Sequence, residues 1–345
     1  MKKIIAILVV FAMVATVAFA ETSISGSVEV RWQIAGNGAN DTVVTGGGFS
    51  NSSIQFSTSN DEGTYGGTYK MVPQGHWSGT AAYTDRAFAW WQPIPQIKFY
   101  LGQDGDGMFN TANLIRWGHH RMDRGIAVED WDAQNYLLGN WDSFGMALMI
   151  YPIEGLAINF AMNLGANAEI GSVFENRIQV QVSYSLDGVG NFFVTYKSMD
   201  DDAIGLTYQS AGFVDGLSFE VGGNYNLTRE VIYAALGVHY NADMWGIRSR
   251  FQMRPNDTYF IFKADIMPFI NFDFGTLFIN FRVANVHHAS GSEVLNGSDK
   301  IGFHINPYLR MPMGGHDFRV GVMVEDRNGS GTINWRVPVS MLVNF

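Results

Sequence analysis

The chain has 345 residues, no Cys, and 22 Lys and Arg against 32 Asp and Glu, a net charge of −10. Charged residues make up 16% and apolar residues 47%, yet mean hydropathy is +0.00, so polar and apolar residues are interleaved rather than blocked. This excludes disorder, a disulfide scaffold, a Cys-ligated metal site and, past residue 20, membrane-spanning helices, which need runs of about 20 apolar residues; the acidic balance also argues against a nucleic-acid partner.

The first element is the only apolar run. Lys2 and Lys3 precede apolar residues from Ile4 to Val17, and Ala18-Phe19-Ala20 has the A-x-A form of a cleavage site. The pattern predicts a secretory signal peptide over 1–20 and an exported mature chain over 21–345. Without Lys2 and Lys3, 20 basic residues face 32 acidic ones, a net charge of −12.

From residue 24 the period becomes two. Ile24, Gly26, Val28, Val30, Trp32 and Ile34 alternate with Ser25, Ser27, Glu29, Arg31 and Gln33. Successive side chains of a strand point to opposite faces, so this is a strand with one apolar and one polar face. A soluble sandwich strand would look the same; repetition separates the two. Alternation returns over Ile178–Leu186, Leu217–Leu227, Trp245–Arg254, Leu277–Val283 and Phe318–Glu325. Segments of about 10 alternating residues separated by turns are the signature of a transmembrane β-barrel.

The connections alternate in kind. Tight ones rich in Gly, Pro, Asn and Asp fall at 60–63, 92–95, 152–155, 187–190, 212–216, 241–243, 268–273 and 312–316. Longer or more charged ones fall at 35–50, 73–82, 103–143, 165–175, 199–203, 228–230, 255–257, 287–299 and 326–331. These predict an all-β, antiparallel up-and-down barrel of 18 strands with both termini on the short-turn side, or 16 if a hairpin around 228–257 or 50–72 is misread. No linker or low-complexity stretch breaks the pattern, so 21–345 reads as one barrel. Segment 134–141 is ambiguous between strand and loop.

The polar phase carries the candidate function. Arg31, Lys70, Arg86 and Lys98 occupy it in early strands; Arg248, Arg250, Arg254, Lys263, Arg282, Arg310, Arg319 and Arg336 occupy it in later ones. A Lys or Arg facing lipid at mid-depth costs roughly 2–4 kcal/mol, so these residues are expected to face water. A barrel of 16–18 strands leaves room for an aqueous channel, and a water-filled lumen follows. Glu29, Glu220, Asp265 and Glu325 are expected partners for some of these bases. On the apolar phase, Trp32, Trp91, Tyr240 and Trp245 near strand ends are expected in interfacial girdles.

Two segments resemble known barrels. The alternation from Ile333 through Trp335, Val337, Val339, Met341 and Val343 to Phe345 resembles the C-terminal assembly signal of bacterial outer-membrane barrels, which implies the barrel-assembly machinery as a partner. Arg86-Ala87-Phe88-Ala89-Trp90-Trp91, a turn, and Ile97-Lys98-Phe99-Tyr100-Leu101-Gly102-Gln103 resemble the hairpin before the third loop of general bacterial porins. The resemblance implies an outer-membrane diffusion channel, often a homotrimer, for small hydrophilic solutes and ions. It also implies that loop 103–143 folds into the lumen. Asp104, Asp106, Asp123, Glu129, Asp130 and Asp132 would then be constriction acids facing the wall bases Arg31, Lys70, Arg86 and Lys98. The segment 103–143 holds seven acids against Arg116, Arg121 and Arg124, so mild cation preference is expected if it lies inside. If it lies outside, the wall led by Arg248, Arg250 and Arg254 would govern and favour anions.

Rival functions are weaker. A sugar-selective channel would use inward aromatics, and Tyr233, Phe278 and Tyr308 have that phase but are spread among strands. A structural or adhesive barrel is expected to be smaller. No G-x-S-x-G elbow or phosphate loop occurs, so no enzyme or cofactor is expected. Asp104-x-Asp106 continues to Met108 and Ile115 where a calcium loop needs ligands, and His119-His120 and His287-His288 lack supporting ligands.

Overall fold

A computed structural model describes residues 20–37, 42–49, 52–74, 81–104, 145–163, 177–199, 201–212, 214–228, 230–255, 260–288, 295–326, 329 and 331–345. The described residues fold as one antiparallel sheet of 20 segments. The first six are β1 (Ala20–Asn37), β2 (Thr42–Phe49), β3 (Ser53–Asn60), β4 (Tyr65–Gln74), β5 (Ala81–Ile94) and β6 (Ile97–Asp104). Next come β7 (Gly145–Ile153), β8 (Leu156–Asn163), β9 (Arg177–Leu186), β10 (Gly190–Met199), β11 (Asp201–Ser210) and β12 (Leu217–Asn226). The last eight are β13 (Val231–Asn241), β14 (Trp245–Pro255), β15 (Phe260–Phe272), β16 (Gly275–His288), β17 (Leu295–Met313), β18 (His316–Gly321), β19 (Met323–Asp326) and β20 (Asn334–Asn344).

Two pairs of segments each make one barrel strand. β1 pairs with β2 through Val30–Gly36 and with β3 through Ala20–Ser27, so β2 and β3 are consecutive parts of its single neighbour. Likewise β18 and β19 both lie between β17 and β20. The barrel therefore has 18 strands. It closes where β1 pairs with β20, from Ser27↔Asn344 to Asn37↔Asn334. Closure leaves no unpaired sheet edge, the condition for a sheet to sit in hydrocarbon. No described helix is long and apolar enough to cross a membrane.

The alternation sets the two faces. Val194, Leu206, Val221, Leu236, Phe251 and Ile266 are exposed on the outer surface, while their neighbours Thr195, Thr207, Glu220, Ala235, Arg250 and Asp265 are buried on the inner one. An apolar outside and polar inside invert the soluble-protein pattern, as lipid as the outer solvent requires. At the turn end, exposed Trp91 stacks on Phe99 at 5.7 Å, Tyr240 lies 5.3 Å from Trp245, and Phe272 stacks on Phe274 at 5.4 Å, the rim of aromatics expected at an interface. Trp32 lies in β1, its side chain outside the described residues.

The tight turns form for local reasons. At Asn60–Gly63 the Asn60 carbonyl accepts from Gly63 N at 2.9 Å, and the Asn60 side chain accepts from the amides of Thr64 and Tyr65. Gly63 takes φ +64°, which a side chain would disfavour.

Several expected boundaries move. β1 and β2 extend into the 35–50 connection from both sides, and Asp201 and Asp202 begin β11 instead of tipping a loop. Gln103 and Asp104 belong to β6, because the β5–β6 ladder continues through Ala87↔Gln103 to Arg86↔Asp104. Asp104 is thus a strand residue, not a loop acid. Segment 134–141 and the signal segment 1–19 lie outside the described residues.

Candidate functional site

The inner wall divides into sectors of different chemistry. On β8–β11 it is uncharged along much of its height: Asn159, Gln179, Gln181, Ser183, Thr195 and Thr207 are buried, and Gln181 Nε2 donates to Thr195 Oγ1 at 3.2 Å. On β14–β20 it is charged. There the register aligns inward residues of neighbouring strands into tiers, each two residues further along the strands than the last.

One of these tiers, two residues nearer the turn end than Gln252↔Lys263↔Ala284, is a row of mutually compensating charges. It runs Gln209↔Glu220↔Gly237↔Arg250↔Asp265↔Arg282↔His304↔Glu325 across β11–β19. Gln209 Nε2 donates to Glu220 Oε1 at 2.6 Å. Asp265, 2% exposed, accepts Arg250 Nη2 at 2.7 Å through Oδ2 and Arg282 Nε through Oδ1. Glu325 lies 3.8 Å from His304 and 3.5 Å from Arg336. Charges taken from water hold together only when paired, and alternation of sign across strands supplies the pairs.

Two residues toward the turn end, Arg248↔Met267 and Asn280↔Asn306 form the next tier. Arg248 is half-buried and donates from Nε to His239 Nε2 at 3.0 Å. Below it lies an aromatic row, Gly246↔Phe269↔Phe278↔Tyr308↔Gly321. Phe278 and Tyr308 stack at 4.9 Å and 16°, and Phe269 tilts against Phe278 at 5.6 Å. The Arg248 guanidinium sits 5.2 Å from the Phe269 centroid and 6.0 Å from that of Phe278, a cation–π arrangement. Glycines end the row at both sides for steric reasons. A Cβ on Gly246 would meet the Phe269 ring, and one on Gly321 would lie 2.6 Å from Tyr308 Cβ. The tier below is Thr276↔Arg310↔Arg319↔Ser340↔Arg31. Asp317, one step nearer the turn, binds Arg310 Nη2 at 2.8 Å and Arg319 Nη2 at 3.1 Å.

A second aromatic–cation patch lies on β5–β7. Inward Trp90 and Tyr100 are cross-strand partners, and Lys98 Nζ stands 4.3 Å from the Trp90 centroid and 5.0 Å from that of Tyr100. Tyr151 donates to Met149 Sδ at 3.3 Å beside it. Ala147, Met149 and Ala161 are buried and apolar, and Tyr100 and Tyr151 pack against them.

The wall bases expected from sequence are placed as follows. Lys70 and Arg86 are cross-strand partners on β4 and β5, and Lys70 also faces Gln55 across β3. Arg31 aligns with Ser340 across the closing seam. The side chains of Arg31, Arg86 and Asp104 are outside the described residues. Lys98 faces inward but engages aromatic rings. Arg250 is inward and buried against Asp265, while Arg254 lies over the Tyr233 ring at 5.6 Å. Asp106, Asp123, Glu129, Asp130 and Asp132 lie outside the described residues, as do His119, His120 and Met108.

Two expectations about composition of the site change. Phe278 and Tyr308 are not scattered: the hairpin between β16 and β17 sets them side by side, and Phe269 joins them from β15. The single-strand phase showed each residue as inward; only the cross-strand register shows that they touch. Asp317 was also missed. Its place in the phase of Arg319, two residues away on β18, is the signal that marks it as inward.

A closed 18-stranded barrel with an apolar exterior and a charged inner wall has the porin-like fold of outer-membrane β-barrels. No protein-family model matches the sequence, and no curated protein matches it. Solved structures do match the fold. Pseudomonas aeruginosa OccK2 (OpdF) aligns with a TM-score of 0.63 at 8% identity, covering 94% of this chain and 98% of that one. Pseudomonas aeruginosa OpdQ aligns with a TM-score of 0.61 at 8% identity, covering 94% and 99%. A variant of the Rh. blastica porin aligns with a TM-score of 0.52 at 14% identity, covering 94% and 100%. At these identities the likeness is one of fold.

Proposed function

We propose that this barrel is a passive diffusion channel for small hydrophilic solutes and ions in the bacterial outer membrane. The observation that carries the reading is the inner wall of β14–β20. Arg248, Arg250, Arg254, Lys263, Arg282, Arg310, Arg319 and Arg336 face inward there, and Asp265, Asp317 and Glu325 are the inward acids described in the same sector. Arg250, Lys263 and Arg282 are buried in that wall, but Arg248 and Arg310 keep exposed surface with a net positive charge around them, which a hydrated passage accounts for and a packed structural barrel does not. The porin folds it resembles support the same reading.

The sign of that excess favours anions. Exposed charges act on ions within about 8–10 Å at physiological salt, so the cations nearest the passage set the preference. Arg250 and Arg282 are engaged by Asp265; Arg248 and Arg310 retain exposed surface. This is the opposite of the mild cation preference that loop acids would impose from inside the lumen. Reversal potentials in planar bilayers across a KCl gradient test it. A reversal toward the chloride potential, strongest at low salt, is expected. Strong cation preference would mean that the 103–143 acids govern, and absence of conductance from folded protein would favour a structural or adhesive barrel. A solute-selective channel is the second reading, favoured by the Phe269–Phe278–Tyr308 row.

A further inference from the structure

Arg310 and Arg319 are cross-strand partners on β17 and β18, and one carboxylate, Asp317, holds both by their Nη2 atoms at 2.8 and 3.1 Å. Two guanidiniums sharing one carboxylate leave a positive excess. They also leave donors unused: the Nε atoms of Arg310 and Arg319 are buried and have no hydrogen-bond partner, while the Arg310 side chain remains 41% exposed. Asp317 therefore fixes the two planes without consuming them. Tyr308, one tier up the same strand, is 3% exposed and directs its hydroxyl to Met267 Sδ at 3.9 Å, so it belongs to the apolar backing of the two guanidiniums. Behind this group lies the stacked row of Phe269, Phe278 and Tyr308, which is buried and apolar. Such a backing excludes water from one side and strengthens an ionic contact made on the other.

We propose that Arg310 and Arg319, with Arg248 above the aromatic row, form a docking site for the phosphoryl group of a small solute at the turn end of the lumen. It rests on the channel reading above. The donors come from guanidinium planes on different strands, Arg310 on β17, Arg319 on β18 and Arg248 on β14. A carboxylate presents two coplanar oxygens and is satisfied by the edge of one guanidinium. A phosphoryl group presents three acceptor oxygens in different directions and matches donors that converge from several. The excess positive charge beside an exposed Arg310 is what a phosphate neutralises.

The test uses the full mature chain in planar bilayers carrying KCl current, with inorganic phosphate, glycerol phosphate or acetate added at equal concentration. Both phosphates should reduce or interrupt the current at about tenfold lower concentration than acetate, a difference of one charge-assisted contact. The double variant Arg310→Gln, Arg319→Gln should still conduct KCl, with a weakened anion preference, and should lose that difference between the phosphates and acetate. Equal action by acetate, action by the ester alone, or an unchanged difference in the double variant overturns the site. If the double variant does not fold, the wild-type comparison still decides between phosphate and acetate. If folded wild-type protein carries no KCl current, the channel reading fails, and phosphorus-31 line broadening in detergent, with and without competing acetate, tests the site by itself.

Discussion

Replacing Asp265 with Leu should be the most damaging single change on the inner wall. The carboxylate is 2% exposed and receives Arg250 on one oxygen and Arg282 on the other, with Lys263 fully buried beside it. Removal leaves two guanidiniums and an ammonium group in a place with little water. Breaking a buried pair by deleting one partner costs about 3–5 kcal/mol, or roughly two to three and a half decades in the unfolding equilibrium. Asp265→Asn keeps the shape and one acceptor, and should fall near the lower end of that range. Arg282→Leu combined with Asp265→Leu should cost less than the two single changes added together, because the uncompensated charge is reduced as the acid is lost. Reversible urea unfolding of the refolded barrel in lipid vesicles, followed by tryptophan fluorescence, measures all three. A cost below about 1 kcal/mol for Asp265→Leu would refute the reasoning, since that is the size of an exposed pair. It would mean that water reaches the row and screens it.

Other expectations follow from the same geometry. Deleting Phe345 should impair assembly more than synthesis, read as loss of the fast-migrating folded band on unheated gels. The Phe345 amide and carbonyl exchange hydrogen bonds with Gly26 at 3.0 and 2.8 Å, and a Cβ on Gly26 would lie 2.6 Å from the Phe345 ring, so Gly26→Val should produce the same defect. Circular dichroism of the mature protein in detergent should be β-dominated; a helix-dominated spectrum would contradict the fold. Gly246→Val should destabilise the barrel by about 1–3 kcal/mol through the displaced Phe269 ring, measured by the same urea unfolding, with no effect on the Arg250–Asp265 pair.

The faces of the barrel were legible in the sequence because a strand has period two. Arg250 and Phe251 are neighbours in sequence and stand on opposite faces, as alternation requires. The strand count was legible through the turns, where Asn60-Asp61-Glu62-Gly63 declares its chemistry. The grouping of residues from different strands was not. Phe278 and Tyr308 are thirty positions apart, and their contact depends on which residue of β16 faces which residue of β17. Alternation is indifferent to a shift of two residues, so it fixes the face and not the tier. The same gap hid the alternating charges of Arg250, Asp265, Arg282 and Glu325, each visible alone as an inward residue. Asp104 was misread for a different reason. Glycines and acids at Gly102 and Asp104–Gly107 look like a loop, yet the ladder with β5 carries the strand through Asp104.

The seam between β1 and β20 has a kinetic consequence. Every other neighbouring pair of barrel strands is joined by a connection within the chain, but β1 waits for residues about 320 positions later. Loop-closure entropy grows as (3/2)RT ln n, so joining Gly26 to Phe345 costs about 3 kcal/mol more than closing a ten-residue hairpin. That contact is therefore expected to form last. Until it does, the nascent sheet carries two open edges, the first and the last strand, each able to pair with a foreign strand. The final aromatic residue is then the latch whose arrival ends the aggregation-prone phase, and the same seam is where a stressed barrel would begin to open.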